Sequence, residues 1–74
     1  MRLRDMREDR DLTQTQIAAL LHVRQSTYSQ YENGQRQIPI DFLISLADFF
    51  DTSVDYILER TNVSIPYPKS KNAE

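Results

Sequence analysis

Four uncharged polar side chains share one side of a predicted helix in the first half of the chain. The helix is expected to span Gln25 to Asn33, and the side chains are Gln25, Ser26, Ser29 and Gln30. A glutamine amide can pair bidentately with an adenine edge, while a serine hydroxyl can meet bases or phosphates. Solvated surface glutamines are common in proteins of every class. On a helix that its neighbours hold against nucleic acid, however, an outer face of this kind suits the reading of base edges.

The opposite side of the same helix carries two aromatic residues. Tyr28 and Tyr31 lie three residues apart, which places them on one side of the helix. This spacing favours packing against the preceding helix over stacking on nucleic-acid bases. Asn33 and Gly34 are expected to end the helix, because both tolerate the left-handed backbone of a C-cap.

Two predicted helices precede this one. The first runs from Leu3 to Arg10. The second begins at Thr13, which forms a capping box with Gln16, and runs to Leu21. Its predicted apolar stripe consists of Ile17, Leu20 and Leu21.

Two more helices are predicted after Gly34. Pro39 suits the first turn of a long core helix, and Asp41 complements its dipole. The predicted buried face of this helix consists of Ile40, Leu43, Ile44, Ala47 and Phe50. Ser53 can cap a short last helix. The apolar positions of that last helix are Val54, Ile57 and Leu58.

The second and third predicted helices have the pattern of a helix-turn-helix. Two helices that cross steeply through a tight turn need small and apolar residues at fixed positions. The residues that meet these positions are Ile17, Ala18, Leu21, Val23, Tyr28 and Tyr31. His22 stands where a positive φ is expected, at a cost of about 1 kcal/mol relative to glycine. A strained turn residue is the favoured interpretation of His22, ahead of a pH switch or a metal ligand.

Length and charge limit the classes of function. The chain has 74 residues, no cysteine and a net charge of −2. This length suits one small domain, and no apolar run approaches the roughly 20 residues that span a bilayer. Residues 1–40 hold six arginines against five acids, whereas residues 41–59 hold five acids and no base. A surface that avoids the acidic segment could therefore still meet phosphates.

Residues 3–58 resemble the phage repressor and Cro-like helix-turn-helix regulators, also called the xenobiotic-response-element family. The resemblance rests on Leu12-Thr13-Gln14, Gln25-Ser26-Thr27, Tyr31-Glu32-Asn33-Gly34, Ala47 and Ser53-Val54-Asp55. It implies an all-α fold, a five-helix bundle of the lambda-repressor-like DNA-binding type. It also implies a homodimer that binds a palindromic operator in double-stranded DNA, with the third helix in the major groove.

The resemblance assigns roles to individual residues. The base-reading candidates are Gln25, Ser26, Ser29 and Gln30, because the N-terminal half of a recognition helix reaches deepest. Gln14 looks like the family's phosphate clamp at a helix N-terminus. The other phosphate-binding candidates are Arg24, Asn33, Gln35 and Arg36. Arg7 and Glu32 occupy positions that form a structural salt bridge in similar repressors. The arginines 2, 4 and 10 alternate with acids and are expected to pair locally on a solvated helix, with edge contacts to phosphate as the alternative.

Residues 1–60 are predicted to form the DNA-binding domain and residues 61–74 a C-terminal tail, either extended or disordered. Val63, Ile65 and Tyr67 alternate with other residue types, which would suit an arm lying on its own domain or on a partner subunit. The resemblance, together with apolar residues left over after the core is assigned, places a dimer contact at the last helix and tail. Its expected residues are Tyr56, Leu58 and Phe49, all predicted to be exposed.

The sequence thus predicts a cytoplasmic transcriptional regulator, most simply a repressor. It contains no nucleophile paired with a base and no phosphate-binding glycine loop, so an enzyme is not expected. No cofactor, metal site or ligand pocket is indicated by the residues. The alternative is a protein-binding module on the same fold, such as the antitoxin of a toxin pair.

Overall fold

The structure, a computed structural model, describes residues 1–68 and contains five helices. They are α1 (Leu3–Asp9), α2 (Gln14–Leu21), α3 (Gln25–Glu32), α4 (Ile40–Phe49) and α5 (Val54–Ile57). No strand occurs within residues 1–68. The predicted all-α, five-helix architecture is confirmed.

The start of α2 and the turn after it position the helix-turn-helix. Thr13 Oγ1 accepts a hydrogen bond from the Gln16 amide at 3.1 Å, and Gln16 Oε1 accepts one from the Thr13 amide at 2.8 Å, which completes the predicted capping box. His22 ends α2 with φ +58°, the left-handed backbone that the sequence predicted. The Val23 amide then donates to the Ala18 carbonyl at 3.0 Å, so the chain turns directly into α3.

One hydrophobic core joins all five helices. Its members are Leu3, Ile17, Ala18, Leu21, Tyr28, Tyr31, Ile38, Leu43, Leu46, Ala47, Phe50 and Ile57. Both tyrosines of α3 are buried, as predicted, and the Tyr31 ring meets Phe42 of α4 edge-on at 6.1 Å between centroids. The polar side of α3 is therefore the side that remains available to solvent.

Three predicted core residues are exposed instead. Ile40 and Ile44 of α4 are 61% and 48% exposed, whereas Leu46, which the predicted face omitted, is 0% exposed. Successive residues of a helix are about 100° apart around its axis. Leu46 therefore extends the buried stripe of α4 on the side opposite to Ile40 and Ile44. Leu20 is 42% exposed for the same reason, since Ala18 draws the buried stripe of α2 to its other side.

Helix boundaries differ slightly from prediction. α1 ends at Asp9 and α3 at Glu32, each one residue early. Asn33 keeps a right-handed backbone with φ −84°, so Gly34 alone takes the left-handed conformation, with φ +76°. The difference is within the normal fraying of a last turn.

Two arginines of the first segment hold distant parts of the chain. The Arg2 amide donates to the Ile57 carbonyl at 2.8 Å, and its guanidinium donates to the Tyr56 and Thr61 carbonyls at 2.8 and 3.0 Å. Arg10 donates to the Phe50 carbonyl at 3.0 Å, at the C-terminal end of α4. The expectation of local pairing was therefore wrong for both, because backbone carbonyls at the end of α4 and from Tyr56 to Thr61 accept their hydrogen bonds instead.

Residues 61–68 form no helix and run along the domain. Thr52 Oγ1 donates to the Ser64 carbonyl at 2.6 Å, and the Tyr67 hydroxyl donates to Asp55 Oδ2 at 2.8 Å. The rest of the predicted tail, residues 69–74, lies outside the described residues. Within residues 1–68, no helix has the length and apolar character needed to cross a bilayer.

Candidate nucleic-acid interface

The four candidate base-reading side chains lie along one side of α3. Gln25 and Ser26, in its first turn, are exposed, while Ser29 and Gln30 are half-buried. The hydrogen bonds of residues 61–68 run to Arg2, Thr52 and Asp55, none of which belongs to α3. The amide-bearing side of α3 is therefore not covered by these residues.

Gln25 does not point freely into solvent but is held by the preceding helix. Its Nε2 donates to Oε1 of Gln14 at 2.6 Å, and Gln14 Nε2 donates in turn to Oε1 of Glu32 at 3.1 Å. The first side chains of α2 and α3 are thus joined to each other and to the last residue of α3. Gln14 uses both ends of its amide in this chain of bonds, whereas Gln25 uses only Nε2. The outward-facing atoms of Gln25 are therefore fixed in direction.

The chain of bonds ends in a buried ion pair between α1 and α3. Arg7 Nε lies 2.9 Å from Oε2 of Glu32, and Arg7 Nη2 lies 3.0 Å from Oε1, a two-pronged contact. The side chains are 12% and 1% exposed. Burial opposes ionisation of Glu32, but hydrogen bonds from Arg7 and Gln14 outweigh it and lower the pKa of the carboxyl to about 2. The same carboxylate raises the pKa of Arg7.

The Tyr28 hydroxyl lies beside this ion pair. It is buried and makes no hydrogen bond of good geometry with any described residue. Burial, followed by the nearby Glu32 carboxylate, raises the pKa of Tyr28 well above its usual range. Tyr28 therefore acts as a neutral packing residue, in agreement with its predicted place in the core.

Arg4 joins the network from the exposed side of α1. Its Nη2 donates to Oδ1 of Asn33 at 2.9 Å, and its Nε lies 3.4 Å from Oε1 of Glu32. Two guanidinium groups thus contact the Glu32 carboxylate, and that of Arg4 also holds the candidate phosphate-binding residue Asn33. The expectation of local pairing was therefore wrong for Arg4 as well, because its partners Glu32 and Asn33 lie 28 and 29 residues away in sequence. The i, i+3 spacing of Arg4 and Arg7 on one helix face was the sequence signal that the two could share a partner.

The remaining phosphate-binding candidates lie at the start of α3 and in the loop after it. Arg24 is exposed and makes no side-chain cap at the start of α3. Gln35 and Arg36 are exposed, and their amides donate to the Gln30 carbonyl at 2.9 and 3.2 Å, which fixes the loop after α3. The structure thus brings Gln14, Gln25 and Asn33 into one network. The side chains of Arg24, Gln35 and Arg36 form no hydrogen bond with it.

The residues expected at a dimer contact differ in exposure. Leu58 and Phe49 are partly exposed, at 38% and 39%. Tyr56 is half-buried, because the Arg2 guanidinium lies 4.4 Å from the centre of its ring. The expectation that Tyr56 is exposed was therefore wrong, since a cation from the first segment covers it.

No group of three or more potential metal ligands occurs within the described residues. His22, the one histidine of the sequence, is exposed at the turn between α2 and α3. Its role is that of a turn residue, which ends α2 with a left-handed backbone.

A family model described as helix-turn-helix matches residues 3–57, which include all five helices. The chain belongs to this family, the repressor and Cro-like helix-turn-helix regulators.

Several curated proteins are similar to the chain over part of their length. An uncharacterized HTH-type transcriptional regulator of Bacillus subtilis, YobD, is 39% identical over 71 residues, covering 96% of this chain and 63% of its own. The cryptic phage CTXphi transcriptional repressor RstR of Vibrio cholerae is 28% identical over 64 residues, covering 86% of this chain and 58% of its own. The putative antitoxin HigA2 of Mycobacterium tuberculosis is 58% identical over 33 residues, covering 45% of this chain and 33% of its own.

The chain thus spans less than two thirds of the length of each of these relatives. No solved structure matches the chain significantly.

Proposed function

We propose that this chain is a sequence-specific DNA-binding regulator, a transcriptional repressor that reads the major groove with α3 as a homodimer. The observation that carries the proposal is the Gln25–Gln14–Glu32–Arg7 network, which fixes an exposed amide at the N-terminal end of α3. A preorganised amide loses little freedom when it pairs with a base edge. Such a regulator acts where the DNA is, so the proposal also places the chain in the cytoplasm.

The proposed roles divide by position along α2, α3 and the loop after α3. The proposed base readers are Gln25, Ser26, Ser29 and Gln30. Gln14, Arg24, Asn33, Gln35 and Arg36 are the proposed phosphate contacts, which set register on the duplex. The relative RstR, named a transcriptional repressor, supports the direction of regulation.

Dimerisation is proposed because one reading helix contacts only one half-site. Leu58 contributes the apolar surface at the end of α5, next to the half-buried Tyr56. In this arrangement two copies read a short palindrome whose half-sites lie about one helical turn, roughly 34 Å, apart.

Selection of bound oligonucleotides from a random pool tests the proposal. We expect enrichment of one palindrome, and we expect Gln25→Ala and Gln30→Ala each to weaken binding by about 1–3 kcal/mol and relax preference at one position. Gln37→Ala is the matched control, because Gln37 is exposed in the loop before α4 and belongs to neither set. If the parent protein enriches no sequence, the proposal fails.

The second candidate is an antitoxin or other protein-binding regulator on the same fold. Similarity to the putative antitoxin HigA2 over 33 residues favours it. Co-expression with the product of each neighbouring gene tests this candidate. A stable complex formed by a protein that enriches no DNA sequence would favour it over the first.

A further inference from the structure

A groove of about 460 Å³ lies between α4, the start of α5 and the end of the described chain. This volume falls in the range of small-molecule sites in proteins, about 300–1,000 Å³. Apolar side chains of Ile44, Ala47 and Val54 contribute to its walls, and Pro66 and Tyr67 close one side. The groove is therefore formed where residues 66 and 67 fold back beside residues 44–55, a tertiary contact that no local sequence pattern indicates.

Three carboxylates also line the groove: Asp48, Asp51 and Asp55. Asp55 is partly neutralised, because it accepts the Tyr67 hydroxyl at 2.8 Å and lies 3.7 Å from Arg60. Asp48 and Asp51 form no ion pair with any described residue. An apolar groove with two carboxylates that form no ion pair within residues 1–68 favours a ligand that is both apolar and positively charged.

We infer that this groove binds a small amphipathic cation, such as an alkylammonium, with its charged head towards Asp48 and Asp51. Its apolar body lies against Ala47 and Val54. The exposed Tyr67 ring adds an aromatic face of the kind that attracts ammonium groups. A second copy of the chain fits the groove less well, because a two-fold contact through it would bring like carboxylates together.

No residue of α2 or α3 lines the groove. Ligand binding there is thus independent of the proposed DNA reading, and either can fail without the other.

Three probes with the same tail separate charge from apolar contact. Hexylammonium, hexanol and hexanoate are titrated into the full chain at pH 7, where the amine carries a full positive charge. Amide shifts in a two-dimensional NMR spectrum report the site. We expect saturable shifts at Ala47, Asp51 and Val54 with hexylammonium, weaker shifts with hexanol and none with hexanoate. Equal binding of hexanol, or shifts confined to other helices, would overturn the inference.

Tail length distinguishes a groove ligand from a diffuse ion. Each buried methylene contributes about 0.8 kcal/mol, so propylammonium should bind about fiftyfold more weakly than hexylammonium. If the two amines bind equally, only the carboxylates attract them and the groove is not a ligand site. Shifts of the same amides on raising protein concentration without any probe would show a second copy there, which also overturns the inference.

Substitution of the carboxylates tests the charge requirement. Asp48→Asn and Asp51→Asn should each weaken hexylammonium about two- to fivefold, the range of an exposed ion pair. Asparagine suits position 51, where φ is +54°. Asp41→Asn is the matched control, since Asp41 lies on α4 but does not line the groove. An equal loss in the control would show a general charge effect and contradict the inference.

Discussion

Gln25 and Gln14, the first residues of α3 and α2, are joined by a hydrogen bond of 2.6 Å between their amides. The bond crosses the turn of the helix-turn-helix and so links the two helix N-termini directly. Gln14 is itself held by Glu32, the last residue of α3. The direction of the Gln25 side chain therefore depends on a carboxylate at the far end of its own helix.

This relationship predicts coupling between Gln14 and Gln25 in DNA binding. Gln14→Ala and Gln25→Ala should each cost about 1–3 kcal/mol of specific affinity. The double variant should lose less than the sum by at least about 0.5 kcal/mol, because either change already breaks the bond. Binding to the selected operator measures all four proteins, with exposed Thr15→Ala as control. Strict additivity of the two losses would contradict the coupling.

The Arg7–Glu32 pair predicts a large and reversible loss of stability. Arg7→Met should lower the free energy of unfolding by about 3 kcal/mol, because it strands a buried carboxylate. Adding Glu32→Gln should recover part of that loss. Urea unfolding monitored by circular dichroism measures both. Arg36→Met, at an exposed position, should change stability by less than about 0.5 kcal/mol. A double variant no more stable than Arg7→Met would show that the loss has another cause.

The low pKa of Glu32 predicts a stability loss in acid. The folded state holds this carboxyl at a pKa of about 2, below its ordinary value of 4.5, so it takes up a proton less readily than the unfolded state. Its contribution is therefore complete above about pH 5 and is lost as the pH falls towards 2. The parent should lose roughly 2 kcal/mol more than Glu32→Gln over that range. Unfolding by urea at several pH values measures it, with exposed Asp9→Asn as control. Parallel pH curves for the parent and Glu32→Gln would refute this.

The left-handed backbone at His22 predicts an unusual order of stability among variants at this position. His22→Val should destabilise the protein by about 1–2 kcal/mol, because a β-branched side chain tolerates φ +58° poorly. His22→Gly should be neutral or stabilising by a few tenths of a kcal/mol, since relief of strain is partly offset by the freer unfolded chain. Thermal unfolding measures the order.

The same pair of substitutions at Ser45, exposed within α4, is the control for this order. There glycine should be the less stable variant, because the backbone is helical. The same order at both positions would rule out a special role for the backbone at His22.

Features set by neighbouring residues were predictable from the sequence. The capping box of Thr13 and Gln16, the left-handed turn at His22 and the burial of Tyr28 each depend on a few positions within one or two turns of helix. Local hydrogen bonds and helical spacing are sufficient to fix them. The position of Gln25 at the start of an exposed helix face followed from the same local rules.

Features set by tertiary packing were not predictable in this way. The helices that pack against α4 determine which of its sides is buried, and as a result Leu46 is buried and Ile44 is exposed. Arg10 reaches carbonyls about 40 residues away in sequence, and no helical spacing indicates such a partner. The hydrogen bond between Gln14 and Gln25 was also missed, because it depends on how steeply α2 and α3 cross.

The contacts of Arg2 fasten the beginning of α1 to the end of α5 through three carbonyls. Fraying of α1 would remove all three bonds from the other segment at once, so we expect the two segments to open together. Hydrogen exchange at the amides of α1 and α5 should consequently proceed at matched rates. Matched rates would show that the two outermost helices belong to one cooperative unfolding unit.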